Sequence, residues 1–430
     1  MKYLPIDNAL FKNNRMNYIN KLIRNSIAVF NANDEFPRSG DQTFVFKQNS
    51  DLFYLSGIDQ EQTILLLYPD CPNQLYKEVL FIRQTNEHIA VWEGHKYSKK
   101  QAQKVSGIES VFWLDDFWNI LASVIHYADN IYLNTNENDR SISSVAYRDL
   151  RFISDMKAKY PLHKYERSAP ILRELRVKKS ESEIHLIQKA CNITRDAFLR
   201  VLKFVTPGVK EYEIEAEIIH EFIRQGATGH AYSPIIASGK NANILHYNDN
   251  NQVCHDGDVI LFDFAAEYAN YNADLSRSVP VNGRFSKRQR DVYMAVLRVM
   301  NEAKNILAPG VIWNDYQDEV GRVMEAELIG LGLLKRHEVE KQDPKMPLYK
   351  RYFMHGTSHH LGLDVHDFAS RYKPFEAGNI LTCEPGIYIR EEGLGIRLEN
   401  DILITESGST DLMADIPLDP DEIEAIMNER

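Results

Sequence analysis

Positive charge is in deficit in this chain: 50 Lys and Arg stand against 61 Asp and Glu, a formal net charge of −11. Broad nucleic-acid and anionic-membrane surfaces need clustered Lys and Arg, so neither is predicted as a partner, and the acidic balance suits cations or neutral substrates. Cysteine is scarce too. Cys71, Cys191, Cys254 and Cys383 lie far apart, with no CxxC pair and no framework spacing, which excludes a disulfide scaffold and predicts reduced thiols. No run approaches the ~18 apolar residues of a membrane span. The opening MKYLPIDNALFKNN has no apolar stretch of a secretory signal, so the cytoplasm is the predicted location and the Asn192-Ile193-Thr194 sequon has no consequence. Internal repeats and low-complexity tracts are absent. Gly330-Leu331-Gly332 is followed by Leu-Leu-Lys, which lacks the last glycine of a dinucleotide loop and reads as a helix end.

What is present divides into two halves. At 430 residues the chain is about three times the ~150-residue prior for a domain, with the 44% hydrophobic and 26% charged content of a globular protein. Up to about residue 172, the β-rich runs QTILLLYPD, KEVLFIRQ and NIYLNT alternate with helical stretches. Beyond it, Ser180 and Glu183 have capping-box spacing, and Ile184, Ile187, Cys191 and Phe198 recur at helical intervals. Further helices are predicted over EYEIEAEIIHEFIRQG, closed by Gly226; from Ser286 with Gln289; across 314–330; and from Asp419 with Pro420 in the first turn. DVILFDFAAEYANYNADLSRSVPV reads as two strands about a turn, and NILTCEPGIYI with GIRLENDILIT as another pair. The prediction is an α+β chain: a mixed α/β domain over 1–172, then helices packed on an antiparallel sheet over 173–430.

Acidic residues interrupt those strands where Val or Ile would fit. A buried, unpaired carboxylate is costly, so Asp263 in VILFDFA needs a partner. Antiparallel pairing would bring Asp274 beside it, and two carboxylates repel. Glu384 in LTCEPGIYI and Glu399 in GIRLEND repeat the pattern. One such acid is explained by a salt bridge or an edge position. Four point to a cation site, in which two divalent ions would neutralise four negative charges. Oxygen-rich coordination with one nitrogen favours Mn2+, with Co2+, Fe2+ and Zn2+ tolerated.

The nitrogen is sought in HGTSHHLGLDVHD, residues 355–367, which holds four of the chain's fourteen histidines. His355 and His359 have the four-residue spacing of an HExxH helix, but a glycine stands in place of the base glutamate and Thr357 and Ser358 are poor helix formers. His360 reads as a satisfied structural residue.

Asp263, Asp274, His359, Glu384 and Glu399, in that order and with those flanks, resemble the metal-ligand set of the pita-bread metallopeptidases. HGTSHHLGLDVHD, EPGIYI, GIRLENDILIT and, in the first half, FPRSGDQTFVFKQNSDLFYLSG resemble the Xaa-Pro aminopeptidase, or aminopeptidase P, branch. The resemblance spans nearly the whole chain. Methionine aminopeptidases normally lack this N-terminal domain, and creatinase-like amidinohydrolases lack the five ligands. Two departures stand behind the ligands: Ala265 where the family often has Gly, and Asn400 where it often has Asp.

The resemblance implies a dimetal exopeptidase that hydrolyses the bond between an N-terminal residue and a following proline by attack of metal-bound hydroxide. Asp263 would bind one ion, His359 and Glu384 the other, and Asp274 and Glu399 would bridge them. Glu384 would also shuttle the proton to the proline nitrogen. His246, His355 and His366 would line the substrate pocket and stabilise the oxyanion. Arg397 would sit at the site, either there or in support of Glu399. Tyr388 and Trp92 would contact substrate, and the chain would form a homo-dimer or homo-tetramer. A prolidase acting on Xaa-Pro dipeptides shares the five ligands, and a noncatalytic pita-bread binding protein would have lost some of them. Serine in TSH, before His359, and the N-terminal match favour the aminopeptidase.

Overall fold

The computed structural model describes residues 2–141 and 143–429. These divide into two compact units, Tyr3–Arg176 and the chain from Val177 onward. In the first, β1 (Ser26–Asn31), β4 (Ile64–Leu67), β5 (Glu78–Ile82), β6 (Ser110–Trp113), β7 (Asn130–Leu133) and β8 (Lys164–Arg167) form a mixed sheet in the order β6-β5-β4-β1-β7-β8. A separate small hairpin joins β2 (Pro37–Ser39) and β3 (Gln42–Thr43). β1 is buried at every position. Alternate side chains of a strand point to opposite faces. Ile27 and Val29 pack with Phe117, Leu121, Phe152 and Met156, while Phe30 meets Tyr18 of the first helix edge to face.

The second unit contains β9 (Gly229–His230), β10 (Ile235–Ser238), β11 (Val259–Asp263), β12 (Ala266–Tyr268), β13 (Tyr271–Asn272), β14 (Ser276–Pro280), β15 (Ile380–Cys383), β16 (Gly386–Ile389), β17 (Leu394–Arg397), β18 (Asn400–Thr405) and β19 (Gly408–Asp411). Pairing between them is antiparallel throughout. The helices Glu181–Phe204 and Lys287–Ile306 pack against these strands. Glu183 accepts from the Ser180 N–H and hydroxyl at 2.8 Å, Ser286 and Gln289 form a full capping box, and Asp419 caps the last helix.

Each stretch read as a simple strand pair is a bent hairpin of four segments. β11 pairs with β14 and β12 with β13, closed by Ala269 and Asn270 at positive φ; β15 pairs with β18 and β16 with β17. The breaks have local causes. Pro385 has no N–H to continue a ladder, so it only accepts, from Leu398 at 3.2 Å. At the other bend, side chains replace strand partners: Ala266 N–H donates to Thr194 Oγ1 and Asp274 N–H to Asp401 Oδ2, both at 3.0 Å. Among the described residues no helix is long and apolar enough to cross a membrane.

Candidate metal centre

All four strand acids sit at these bends. Asp263 ends β11 opposite Ser276, Asp274 precedes β14, Glu384 follows β15 and Glu399 precedes β18. A bend lets a carboxylate leave the plane of its strand, so two hairpins deliver four acids to one place. One ligand atom each from Asp274, His359 and Glu399 lie within 4.8 Å of one another. His359 Nε2 is 3.3 Å from Asp274 Oδ2 and 3.7 Å from Glu384 Oε1, which places Glu384 on the same centre. Asp263 joins through Tyr232, whose hydroxyl lies 2.6 Å from Asp263 Oδ1 and 2.5 Å from Asp274 Oδ1.

The imidazole is set for coordination. His359 Nδ1 bonds the His360 carbonyl at 3.1 Å, which turns Nε2 toward the carboxylates. Its backbone N–H donates to Thr382 Oγ1 at 3.0 Å, and that hydroxyl is 3.5 Å from Glu384 Oε1. Burial disfavours the imidazolium, yet the hydrogen bond to Asp274 and the charge of Glu384 outweigh it and push His359 up to about 9. Burial and the neighbouring carboxylates push Glu399 well above the usual range and raise Asp263. Burial pushes Glu384 up to about 7, against the pull of His359 and Arg397. Carboxylates crowded out of water with one imidazole are a donor set that fits divalent cations.

The Arg397 guanidinium is woven through the group. It donates to Asp263 Oδ2 at 2.5 Å, to Ser276 Oγ at 2.7 Å and to the Tyr388 hydroxyl at 3.0 Å; Ser276 passes the link to Glu399 Oε2 at 2.6 Å. Tyr388 is buried and donates in turn to His355 Nε2 at 2.8 Å, while His355 Nδ1–H donates to the Gly356 carbonyl at 2.8 Å. Burial first, then Arg397, hold His355 down to about 3, so its ring is neutral. The His366 ring lies 4.5 Å from that of His359. His246 is exposed on the loop after β10. Trp92 belongs to the first unit, on the helix Glu87–Glu93, with 78% of its surface exposed.

His360 differs from its expectation as a satisfied hydrogen-bonding residue. It is buried, stacks on Trp313 at 5.9 Å, and its Nδ1 has no hydrogen-bond partner, so it serves packing. The two departures are accommodated. Ala265 is buried and its carbonyl accepts from Ala231 N–H; Asn400 accepts from Arg277 and donates to both oxygens of Asp411. Sequence reasoning missed Tyr232, Ser276, Thr382 and Asp401. Thr382 and Asp401 carried a signal, each a polar residue inside an apolar strand; Tyr232 and Ser276 are linked to the acids only by the fold.

Residues 185–406 match the family described as metallopeptidase family M24, and residues 11–132 match that described as aminopeptidase P, N-terminal domain. The chain is 34% identical to the Xaa-Pro aminopeptidase of Escherichia coli and 32% identical to that of Haemophilus influenzae, each match covering 97% of both chains. Among solved structures, zinc-substituted Escherichia coli aminopeptidase P in complex with product superposes with a TM-score of 0.88 at 31% identity, covering 99% of each chain.

Proposed function

Since the chain belongs to metallopeptidase family M24, in its aminopeptidase P branch, and is a metallo-aminopeptidase with that branch's N-terminal and pita-bread domains, we propose that it removes the N-terminal residue from peptides whose second residue is proline. The observation that carries the reading is the set of four acids at the bends of two hairpins, three of them gathered about His359 and the fourth, Asp263, tied to Asp274 through Tyr232. Asp263, Asp274, His359, Glu384 and Glu399 would hold two divalent cations, with Asp274 and Glu399 as the ligands shared between them. Mn2+ is the ion preferred by this donor set. Such ions, when bound, lower the pKa of water and polarise the scissile carbonyl.

The chain's own residues supply the rest. Glu384 takes the proton of the attacking water and hands it to the proline nitrogen as the C–N bond breaks. Arg397 holds Asp263 directly and Glu399 through Ser276, fixing two ligands at once. His366 and His246 are assigned to the substrate, and His355 reaches it by exchanging the Gly356 carbonyl, to which its Nδ1–H donates, for a substrate oxygen. A bond before proline has no amide N–H, so recognition rests on the ring and its flanks. A homo-dimer or homo-tetramer is proposed, supported by the exposed Phe36, Phe44, Val91 and Trp92 of the first unit. A cytoplasmic setting is supported by four free, buried cysteines.

The test compares an Xaa-Pro-Yaa tripeptide, an Xaa-Pro dipeptide and an Xaa-Ala-Yaa control, with and without Mn2+. Manganese-dependent cleavage of the tripeptide is expected. Cleavage of the dipeptide alone would assign a prolidase, and no cleavage of any would reject the proline-specific reading.

A further inference from the structure

A buried ion pair of the second unit lies outside the metal-ligand set. Lys179 Nζ stands 3.1 Å from Asp367 Oδ2, and each side chain is only 1% exposed. Taking two charges out of water is costly, and a well-packed hydrophobic pair of similar volume often holds a fold as well. The pair therefore needs a reason beyond stability. Its place in the chain supplies one, because Asp367 directly follows His366.

Both partners are mounted on firm supports. Lys179 immediately precedes Ser180, the capping residue of the helix Glu181–Phe204, and its N–H donates to the Gly378 carbonyl at 2.8 Å. Asp367 closes a turn: its N–H donates to the His360 carbonyl at 2.9 Å, and its Oδ1 accepts from the Phe368 N–H at 2.8 Å, while Oδ2 faces Lys179. The side of the turn is held by Asn272 on β13, whose amide donates to the carbonyls of Gly362 and Leu363, each at 3.0 Å. Gly362 makes room for the pair, since a Cβ there would collide with Asp367 Oδ2 and stand 2.9 Å from Lys179 Cε.

One atom ties this turn to the metal centre. The His360 carbonyl that accepts from Asp367 is also bonded by His359 Nδ1, at 3.1 Å. The His366 ring stands over that of His359, with centroids 4.5 Å apart and planes at 82°. Asp367 thus has its backbone on the carbonyl that orients His359 and its side chain on an ammonium anchored at a helix start.

We propose that Lys179 is a positioning residue: held at the helix start, it fixes Asp367 and, through it, the place of the His366 ring against the substrate. The proposal rests on the aminopeptidase reading, in which His366 meets substrate, and adds to that site a buried residue that acts through another.

The test measures tripeptide cleavage by full-length protein at saturating Mn2+, with rates counted per folded chain. The variants are Lys179→Met, Asp367→Asn, His366→Ala and the two doubles that join His366→Ala to each of the others. Asp367→Asn keeps the shape of the side chain and removes its charge, so it carries the test if Lys179→Met fails to fold. Each single variant should lose about 100-fold in kcat/KM, the size of a misplacement on the order of 1 Å, with metal content at the parent value. The loss should divide between kcat and KM as it does in His366→Ala, and either change should add less than about twofold once His366 is replaced. Parent-like kcat/KM in the folded single variants, losses that multiply in full with that of His366→Ala, or a fall in bound metal that accounts for the lost rate would each overturn the proposal and leave the aminopeptidase reading intact. A parent that cleaves no Xaa-Pro peptide rejects both.

Discussion

The first unit and the metal centre of the second treat buried charge in opposite ways. In the first, acids meet cations: buried Asp51 accepts from Arg176 at 2.7 Å, half-buried Glu78 from the buried Arg15 at 2.9 Å, and buried Glu61 from Arg83 and Lys96. Burial alone would raise Glu61, but Lys96 and Arg83 outweigh it and hold its carboxyl below the usual range. Asp149, bonded to Asn31 and without such a cation, is pushed up by burial to about 7. In the second unit, Asp263, Asp274, Glu384 and Glu399 crowd about the guanidinium of Arg397 and the imidazole of His359, with the neutral ring of His355 3.6 Å from Glu384. Paired charge fixes a structure, whereas a surplus of one sign, held in place by bends and hydrogen bonds, is a demand for cations.

The largest effect expected on this contrast comes from reducing the surplus itself. Asp274→Ala and Glu399→Ala should each lower tripeptide cleavage at saturating Mn2+ by at least about a thousandfold, because losing a bridge leaves both ions under-coordinated. More than a few per cent of the parent rate in either variant rejects the bridging assignment. Asp51→Ala should do something different. It removes the carboxylate facing buried Arg176 and should cost about 3–5 kcal/mol of unfolding free energy in denaturant titration. Metal content per folded chain should stay at the parent value, and a fall in it would blur the distinction between the units.

Two smaller effects sharpen the comparison. Ser276→Ala cuts the hydroxyl that links Arg397 to Glu399 and should weaken Mn2+ binding by about 10- to 100-fold in calorimetry. An unchanged affinity would make Ser276 a bystander. A cation on His359 Nε2 must displace a proton that the imidazole keeps up to about pH 9, and one on Glu384 a proton kept up to about pH 7. Affinity should therefore rise with pH, by up to about tenfold per unit for each proton released, and flatten above pH 9. A flat profile between pH 6 and 8 contradicts a protonated His359 and a Glu384 that titrates near neutrality.

Local signals in the sequence led directly to local structure. Ser180 with Glu183, Ser286 with Gln289 and Asp419 before Pro420 each mark a helix start, because a cap is made by residues a few positions apart. The runs QTILLLYPD, KEVLFIRQ and NIYLNT contain β4, β5 and β7. Acids inside apolar strands were visible for a related reason: burial makes each one costly on its own. The bends were not visible, apart from the hint in Pro385, because they depend on Thr194 and Asp401, which lie 72 and 127 residues from the backbone groups they bond. Tyr232 and Ser276 were missed on the same ground. A tyrosine or serine in a loop or strand has many ordinary uses, and only the folded chain shows which carboxylates it touches.

The most direct test of a two-ion centre is to strip the protein of metal and titrate Mn2+ back while following cleavage of an Xaa-Pro-Yaa tripeptide. Such a centre predicts no activity in the stripped protein and a rise that saturates at two ions per chain. Full activity before any metal is added, or saturation at a single ion, would contradict it.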